Sequence, residues 1–305
     1  MEPHKTLDCG NSGTTARLML GAVAANPINC TFIGDKSLSR RSMSRVTDYL
    51  KAMGNDINLT RKDFLPIMIS GNDNLIATEH EMLKASAQVK SAIMLAGLNI
   101  HGKTVITENK PTRDHTERLF KYFDINFKIK KIKNGGSRIE LIGPYEIKSK
   151  NIDVACDPSS AAFFVVGALI TPLSNITLKD ICLNPTRIAY LKILKKMGGN
   201  IKINKTKNIC GEDIGDITVE YSKLHGIKID SHISPLLIDE YPILAIAACQ
   251  AKGKTIMNGL SELRHKESDR VKSIVSNLKK LGYDITVKQD NIIIKGKENI
   301  KLKKQ

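Results

Sequence analysis

The sequence contains no tryptophan, and aromatic residues fill only 5% of its 305 positions. Without aromatic side chains interleaved among basic ones there is no platform for stacking bases, so a formal charge of +16 does not by itself point to nucleic acid. The six cysteines (Cys9, Cys30, Cys156, Cys182, Cys210, Cys249) form no CxxC pair, and the seven histidines show neither HxxxH nor HExxH spacing. No metal site is expected, and the thiols read as small, reduced core residues. No apolar run approaches the roughly 18 residues of a membrane span, and the start MEPHKTLDCG has neither signal-peptide nor transit-peptide character. A cytoplasmic protein is expected, with no membrane and no nucleic acid among its partners.

A hydrophobic content of 41% is enough for a large core, and the length suggests about two domains. A segment rich in small residues recurs four times: NSGTTARLMLGAVAAN, SAQVKSAIMLAGLNI, DPSSAAFFVVGALIT and IDEYPILAIAACQA. Each reads as a buried helix. A short β-branched strand follows each one (CTFIGD, KTVITEN, NITLKDI, KTIMNGL), with Gly102 and Gly253 as turn residues ahead of two of them. A second, amphipathic helix comes next. In the first copy it carries Met43, Val46, Leu50 and Met53 on one face, and in the last Val271, Ile274, Leu278 and Leu281. It ends at Gly54, Gly198 or Gly282 in three copies, and a strand opens with Ile57, Ile125, Ile201 or Ile285. A return strand completes the unit, most clearly after the hairpin turn Asn134-Gly135-Gly136. The unit is therefore α-β-α-β-β, too long for a solenoid repeat. The economical packing is two lobes of two units each, residues 1–145 and 146–305, with the chain crossing after Gly143-Pro144.

Only eleven of the cations are arginines, and their placement is informative. Arg41, Arg113, Arg187 and Arg270 each sit at or just before the second helix of a copy. A cation there opposes the helix dipole, which favours negative charge at an N-terminus by roughly 0.3 to 1 kcal/mol. Nearby acids such as Asp114 and Asp269 could compensate, or a bound phosphate or carboxylate could satisfy both guanidinium and helix amides. Four repeats of the same placement favour the anion. GNSGTT sets Gly10 and Gly13 where the backbone must approach a ligand closely, although it is neither a P-loop nor GxGxxG. In the fourth copy ELRHKESDR and Asp239-Glu240 hold carboxylates and a lysine beside an apolar helix, suited either to proton transfer or to a surface salt-bridge cluster and a helix cap.

LDCGNSGTTARLMLG, ASAQVKSAIMLAGL, TRDHTERL, DPSSAAFF, IDEYPILA and ELRHKESDR together resemble, in order, the motifs of the 5-enolpyruvylshikimate-3-phosphate synthase (3-phosphoshikimate 1-carboxyvinyltransferase) family. The resemblance implies an α/β fold, the two-lobed inside-out α/β barrel of the enolpyruvyl transferases, with four of the usual six repeat units present. It implies transfer of the enolpyruvyl group of phosphoenolpyruvate to the 5-hydroxyl of shikimate 3-phosphate, with release of phosphate, in the shikimate pathway leading to chorismate and the aromatic amino acids. No cofactor is implied, and the complete enzyme is expected to be a monomer.

Matched residue by residue, Ser86, Ala87, Gln88 and Arg113 fall on shikimate 3-phosphate positions. Asn11, Gly13, Arg41, Gln88 and Arg270 fall on phosphoenolpyruvate positions. Asp239 matches the acceptor of the 5-hydroxyl proton, and Lys266 and Glu267 match the pair handling protons at the enolpyruvyl methylene; Asp239 and Lys266 also border shikimate 3-phosphate. Protonating the methylene while deprotonating the hydroxyl requires an acid and a base on opposite sides of one tetrahedral centre. The sequence departs from the family at Ser42, where a proline is usual, and at His265, where an apolar residue is more common. Gly13 is retained, which implies sensitivity of a complete enzyme to glyphosate. The first and last repeat units of the family, with their Lys-Ser…Arg cluster and DHR motif, find no match, so weak substrate binding and little turnover are expected of this chain alone. The sister family acting on UDP-N-acetylglucosamine usually has a cysteine in the loop matched by GDKSLSRRSM, where none occurs. A non-catalytic binding module of the same fold is the remaining alternative.

Overall fold

The structure, a computed structural model, describes residue 3 and residues 6–61, 63–265 and 268–297. They form two compact units divided between Asn151 and Ile152, each with its own apolar core.

The first unit runs β1 (Leu7–Asp8), α1 (Gly13–Ala24), β2 (Asn29–Ile33), α2 (Ser44–Ala52), β3 (Asp56–Arg61) and β4 (Phe64–Ser70), then β5 (Glu79–Met82), α3 (Ala87–Gly97), β6 (Gly102–Glu108), α4 (His115–Tyr122), β7 (Phe127–Lys131) and β8 (Ser137–Gly143). Its sheets have the same order, β1-β2-β4-β3 and β5-β6-β8-β7. The second unit runs α5 (Pro158–Ile170), β9 (Asn175–Cys182), α6 (Ala189–Lys196), β10 (Asn200–Ile209) and β11 (Glu212–Glu220), then β12 (Lys228–Ile229), α7 (Tyr241–Gln250), β13 (Gly253–Met257), α8 (Arg270–Lys280), β14 (Asp284–Lys288) and β15 (Asn291–Gly296). Its sheets are β10-β11-β9 and β12-β13-β15-β14.

The repeat is thus the expected α-β-α-β-β with one addition. A short leading strand, β1, β5 or β12, pairs in parallel with the strand after the first helix, while the other strands pair antiparallel. In the third copy this strand shrinks to a single parallel bridge between Cys156 and Ile181. Two residues in β1 and β12, and four in β5, are too few to show a period, which is why the alternation rule overlooks this strand.

The small-residue helices serve close approach. A Cβ on Gly21 of α1 would lie 2.2 Å from the carbonyl oxygen of Ala92 in α3, so only glycine lets these two helices touch there. The second helices pack differently, by stripes: Met43, Val46, Leu50 and Met53 are all fully buried, and Val271, Ile274 and Leu278 are buried with Leu281 partly so. Three expectations need correction. Ile125 is buried but precedes β7, which opens at Phe127. Phe163 and Phe164 on α5 are 57% and 63% exposed, so that helix is apolar on its outer face as well as its inner one. Of the cysteines, all free, Cys156 is exposed and Cys210 half-buried, while the other four are buried.

Candidate functional site

In the first unit the chemistry gathers at the N-termini of α1 and α3. Both helices start with a serine cap, Ser12 accepting from the Thr15 N–H and Ser86 from the Val89 N–H, and neither has an acidic residue in its first turn. The first N–H groups of a helix lack intrahelical acceptors, so these ends favour anions. Arg17, one turn into α1 and only 7% exposed, reaches back across them. Its Nη1 donates to Gln88 Oε1 at 2.9 Å and to the Gly13 carbonyl at 3.3 Å, and its Nη2 donates to the Ser42 carbonyl at 3.2 Å. Gln88 in turn donates from Nε2 to Thr14 Oγ1 at 2.6 Å.

Gly13 is bare because two guanidinium groups occupy the space a side chain would need. A Cβ there would lie 2.6 Å from Arg17 Nη1 and 2.8 Å from Arg41 Nη1. Gly13, Arg41 and Gln88 are therefore brought together around Arg17. Asn11 stands beside them on the preceding loop, its amide donating to Asp35 Oδ2 at 2.5 Å. Asp35 also accepts from the Leu38 N–H at 2.7 Å, and these donors hold its carboxyl below the ordinary carboxylate value. Its own N–H donates to the Gly10 carbonyl, so Asp35 ties the loop that carries Arg41 to the loop that carries Asn11.

Arg113 lies half-buried in the turn before α4. That turn is fastened from beneath. Thr112 donates its hydroxyl to Glu108 Oε2 at 2.7 Å, and Glu108 Oε1 accepts from Ser137 at 2.8 Å and from Lys90 at 3.2 Å. Lys90, fully buried in the first turns of α3, also meets Glu117 Oε1 of α4 at 2.6 Å. Burial pushes the Glu117 carboxyl above its ordinary value, with Lys90 opposing that rise.

In the second unit the corresponding helix ends are acidic. Asp157 caps α5 and accepts from Arg187 Nη2 at 2.9 Å. Burial works against its ionisation, but the hydroxyl and N–H of Ser160, with Arg187, outweigh it and keep the carboxyl below its ordinary value. Arg187 also bonds Ser159, whose hydroxyl reaches the buried Glu240 at the start of α7. Next to it, Asp239 Oδ1 accepts from Arg270 Nη1 at 3.0 Å. Arg187 thus meets the carboxylate of Asp157, and Arg270 that of Asp239. Asp114 pairs with Arg118, and Asp269 caps α8 and pairs with Arg264. Lys266 and Glu267 lie outside the described residues.

Arg17 and Thr14 are functional candidates that sequence reasoning passed over. The signal was present in the spacing: a residue four after Gly13 stands one turn above it on the same helix face. Among the described residues no group of three His, Cys, Asp or Glu side chains is arranged to hold a metal ion.

Repeated sheets of three or four strands over small-residue helices, with guanidinium groups at one set of helix ends and carboxylates at another, define an enolpyruvyl-transferase-type fold. The enolpyruvyl transferase NikO from Streptomyces tendae shares it with a TM-score of 0.61 at 15% identity, over 90% of this chain and 61% of that one. The chain belongs to the EPSP synthase (3-phosphoshikimate 1-carboxyvinyltransferase) family, whose pattern it matches over residues 1–304. It is 45% identical over 301 residues to a 3-phosphoshikimate 1-carboxyvinyltransferase from Sphingopyxis alaskensis, covering 97% of this chain and 67% of the relative. The structure of an EPSP synthase from Acinetobacter baumannii superimposes with a TM-score of 0.83 at 42% identity, over 97% of this chain and 66% of that one. The chain thus spans about two thirds of the length of the relatives it matches.

Proposed function

We propose that this chain takes part in transfer of the enolpyruvyl group of phosphoenolpyruvate to the 5-hydroxyl of shikimate 3-phosphate, giving 5-enolpyruvylshikimate 3-phosphate and phosphate. The observation that carries the reading is the Gly13–Arg17–Arg41–Gln88 cluster. Two guanidinium groups converge on a helix start kept bare by glycine, with Gln88 of α3 bonded into the same group. Such a cluster suits a dianionic phosphate or a carboxylate, and both substrates are anionic.

On this reading Asn11, Gly13, Arg41, Gln88 and Arg270 receive phosphoenolpyruvate, and Ser86, Ala87, Gln88 and Arg113 receive shikimate 3-phosphate. Arg17 orients Gln88 by holding its carbonyl, which turns the Gln88 amide toward Thr14. Asp239 takes the 5-hydroxyl proton, held in place by Arg270. Lys266 and Glu267 move the proton at the methylene. The cations stabilise charge that shifts from ester to phosphate as the bond breaks. The complete enzyme acts in the cytoplasm as a monomer on these small anions, without a cofactor.

The test is calorimetric titration of the chain with shikimate 3-phosphate, alongside an assay of phosphate release from phosphoenolpyruvate with and without added shikimate 3-phosphate. Saturable binding that Arg113→Met and Gln88→Ala each weaken supports the reading. Absence of binding at millimolar ligand, with the chain folded, overturns it for this chain.

A further inference from the structure

One buried group is used by none of the roles above. Lys90 has no exposed surface, and its ammonium lies between Glu108 at the end of β6 and Glu117 in the first turn of α4. An ammonium and two carboxylates in an apolar core are costly unless every partner is set, so the arrangement fixes the elements that carry it. Those elements are significant by position. Lys90 is two residues beyond Gln88 on α3, and Glu108 and Glu117 bracket the turn that holds Arg113. Glu108 grips that turn directly, through the 2.7 Å bond from the Thr112 hydroxyl, while Ser137 and Lys90 hold its other oxygen. A second tie, Ser91 to Thr116 at 2.6 Å, joins α3 to α4.

We infer that Glu108 and Thr112, anchored by Lys90, are positioning residues that set Arg113 relative to Ser86, Ala87 and Gln88, and so govern affinity for shikimate 3-phosphate. This rests on the functional reading given above. Without the Thr112 bond, the turn from 109 to 114 keeps its chain connections but loses its fixed link to the buried charges. Arg113 then samples a wider arc, and part of the binding free energy is lost in ordering it.

The test compares Thr112→Val, which keeps the shape and removes the hydroxyl, with Thr112→Ser, which keeps the hydroxyl. Three quantities are measured on the full chain: thermal midpoint, hydrogen exchange of the amides from 109 to 114, and shikimate 3-phosphate affinity by calorimetry. Thr112→Val is expected to hold the midpoint near the wild-type value, to speed exchange in the turn, and to weaken binding by about tenfold, the scale of one lost hydrogen bond. Thr112→Ser should restore both protection and affinity. Val and wild type binding alike, or Ser failing to rescue, overturns the inference. Should the wild-type chain bind no shikimate 3-phosphate, the functional reading fails for this chain. The exchange arm then decides positioning by itself: faster exchange in Val, reversed in Ser, supports a fixed turn, and unchanged exchange refutes it.

Discussion

Replacing Lys90 by methionine should destabilise the first unit more than almost any other single change. The side chain is fully buried, and its ammonium is 2.6 Å from Glu117 Oε1 and 3.2 Å from Glu108 Oε1. Methionine fills much the same volume, so the loss is electrostatic. Glu108 retains the hydroxyls of Thr112 and Ser137. Glu117 is worse placed, since its Oε2 is already buried without a hydrogen-bond partner. Removing one member of a buried ion pair costs about 3 to 5 kcal/mol. For a unit of this size each kcal/mol lowers the midpoint by about 2 to 4 °C, so a fall of roughly 6 to 20 °C is expected by calorimetry at pH 7. The pH dependence tests the cause. Because burial raises the Glu117 carboxyl, the folded state binds a proton between the unfolded and folded pKa values. Its contribution to stability therefore falls as pH rises through that window and returns on acidification, with a slope of at most about 1.4 kcal/mol per pH unit. Lys90→Met removes the attraction opposing that rise and so widens the window upward. The gap between variant and wild type should narrow as pH is lowered, and Lys90→Met with Glu117→Gln should recover much of the loss at pH 7. A midpoint for Lys90→Met within about 2 °C of wild type, or a gap indifferent to pH, would refute the reasoning.

Gly21→Ala should cost about 1 to 3 kcal/mol in chemical denaturation, because its Cβ would fall 2.2 Å from the Ala92 carbonyl and the α1–α3 crossing must open. The nearest atoms to the Cβ of Gly13→Ala are the movable guanidinium groups of Arg17 and Arg41, so stability should change little while shikimate 3-phosphate and phosphoenolpyruvate affinities, read by calorimetry, move by about tenfold or more. Asp239→Asn keeps an acceptor for Arg270 and should leave the thermal midpoint within about 2 °C, while phosphate release, where wild type shows it, falls by at least about 100-fold. Equal release by wild type and variant removes Asp239 from the proton-acceptor role.

The repeat was legible in the sequence because large apolar residues spaced by 3 and 4 can only be a helix stripe, and Met43, Val46, Leu50 and Met53 are indeed buried together. Glycine-terminated helices were legible for a similar local reason, Gly54, Gly198 and Gly282 all having positive φ. What escaped is whatever depends on partners distant along the chain. Lys90 sits in the apolar run QVKSAIML, and nothing local identifies Glu108 and Glu117 as its partners. Arg17 bonds Gln88 across 71 residues. The two-residue strands β1 and β12 are defined only by the strand each one pairs with.

The four copies also differ in a way that the repeat itself makes readable. At the starts of α1 and α3 the polar groups are serine caps, glutamine and the guanidinium groups of Arg17 and Arg41. At the starts of α5 and α7 they are Asp157, Asp239 and Glu240, with Arg187 and Arg270 bonded to two of these carboxylates. Asp157 satisfies N–H groups at the start of α5 from within, whereas the serine-capped starts of α1 and α3, set beside guanidinium groups, suit a negative charge supplied by a ligand. On the proposed reading, one scaffold supports opposite chemistry at equivalent places: anion recognition in the first unit and a resident base in the second. The contrast carries a test of its own. Asp157→Asn should shift the thermal midpoint, because it weakens a cap and an ion pair, whereas Gln88→Ala, which opens a ligand-facing group, should act on affinity. Reversal of that pattern would mean that the repeat copies do not divide the work in this way.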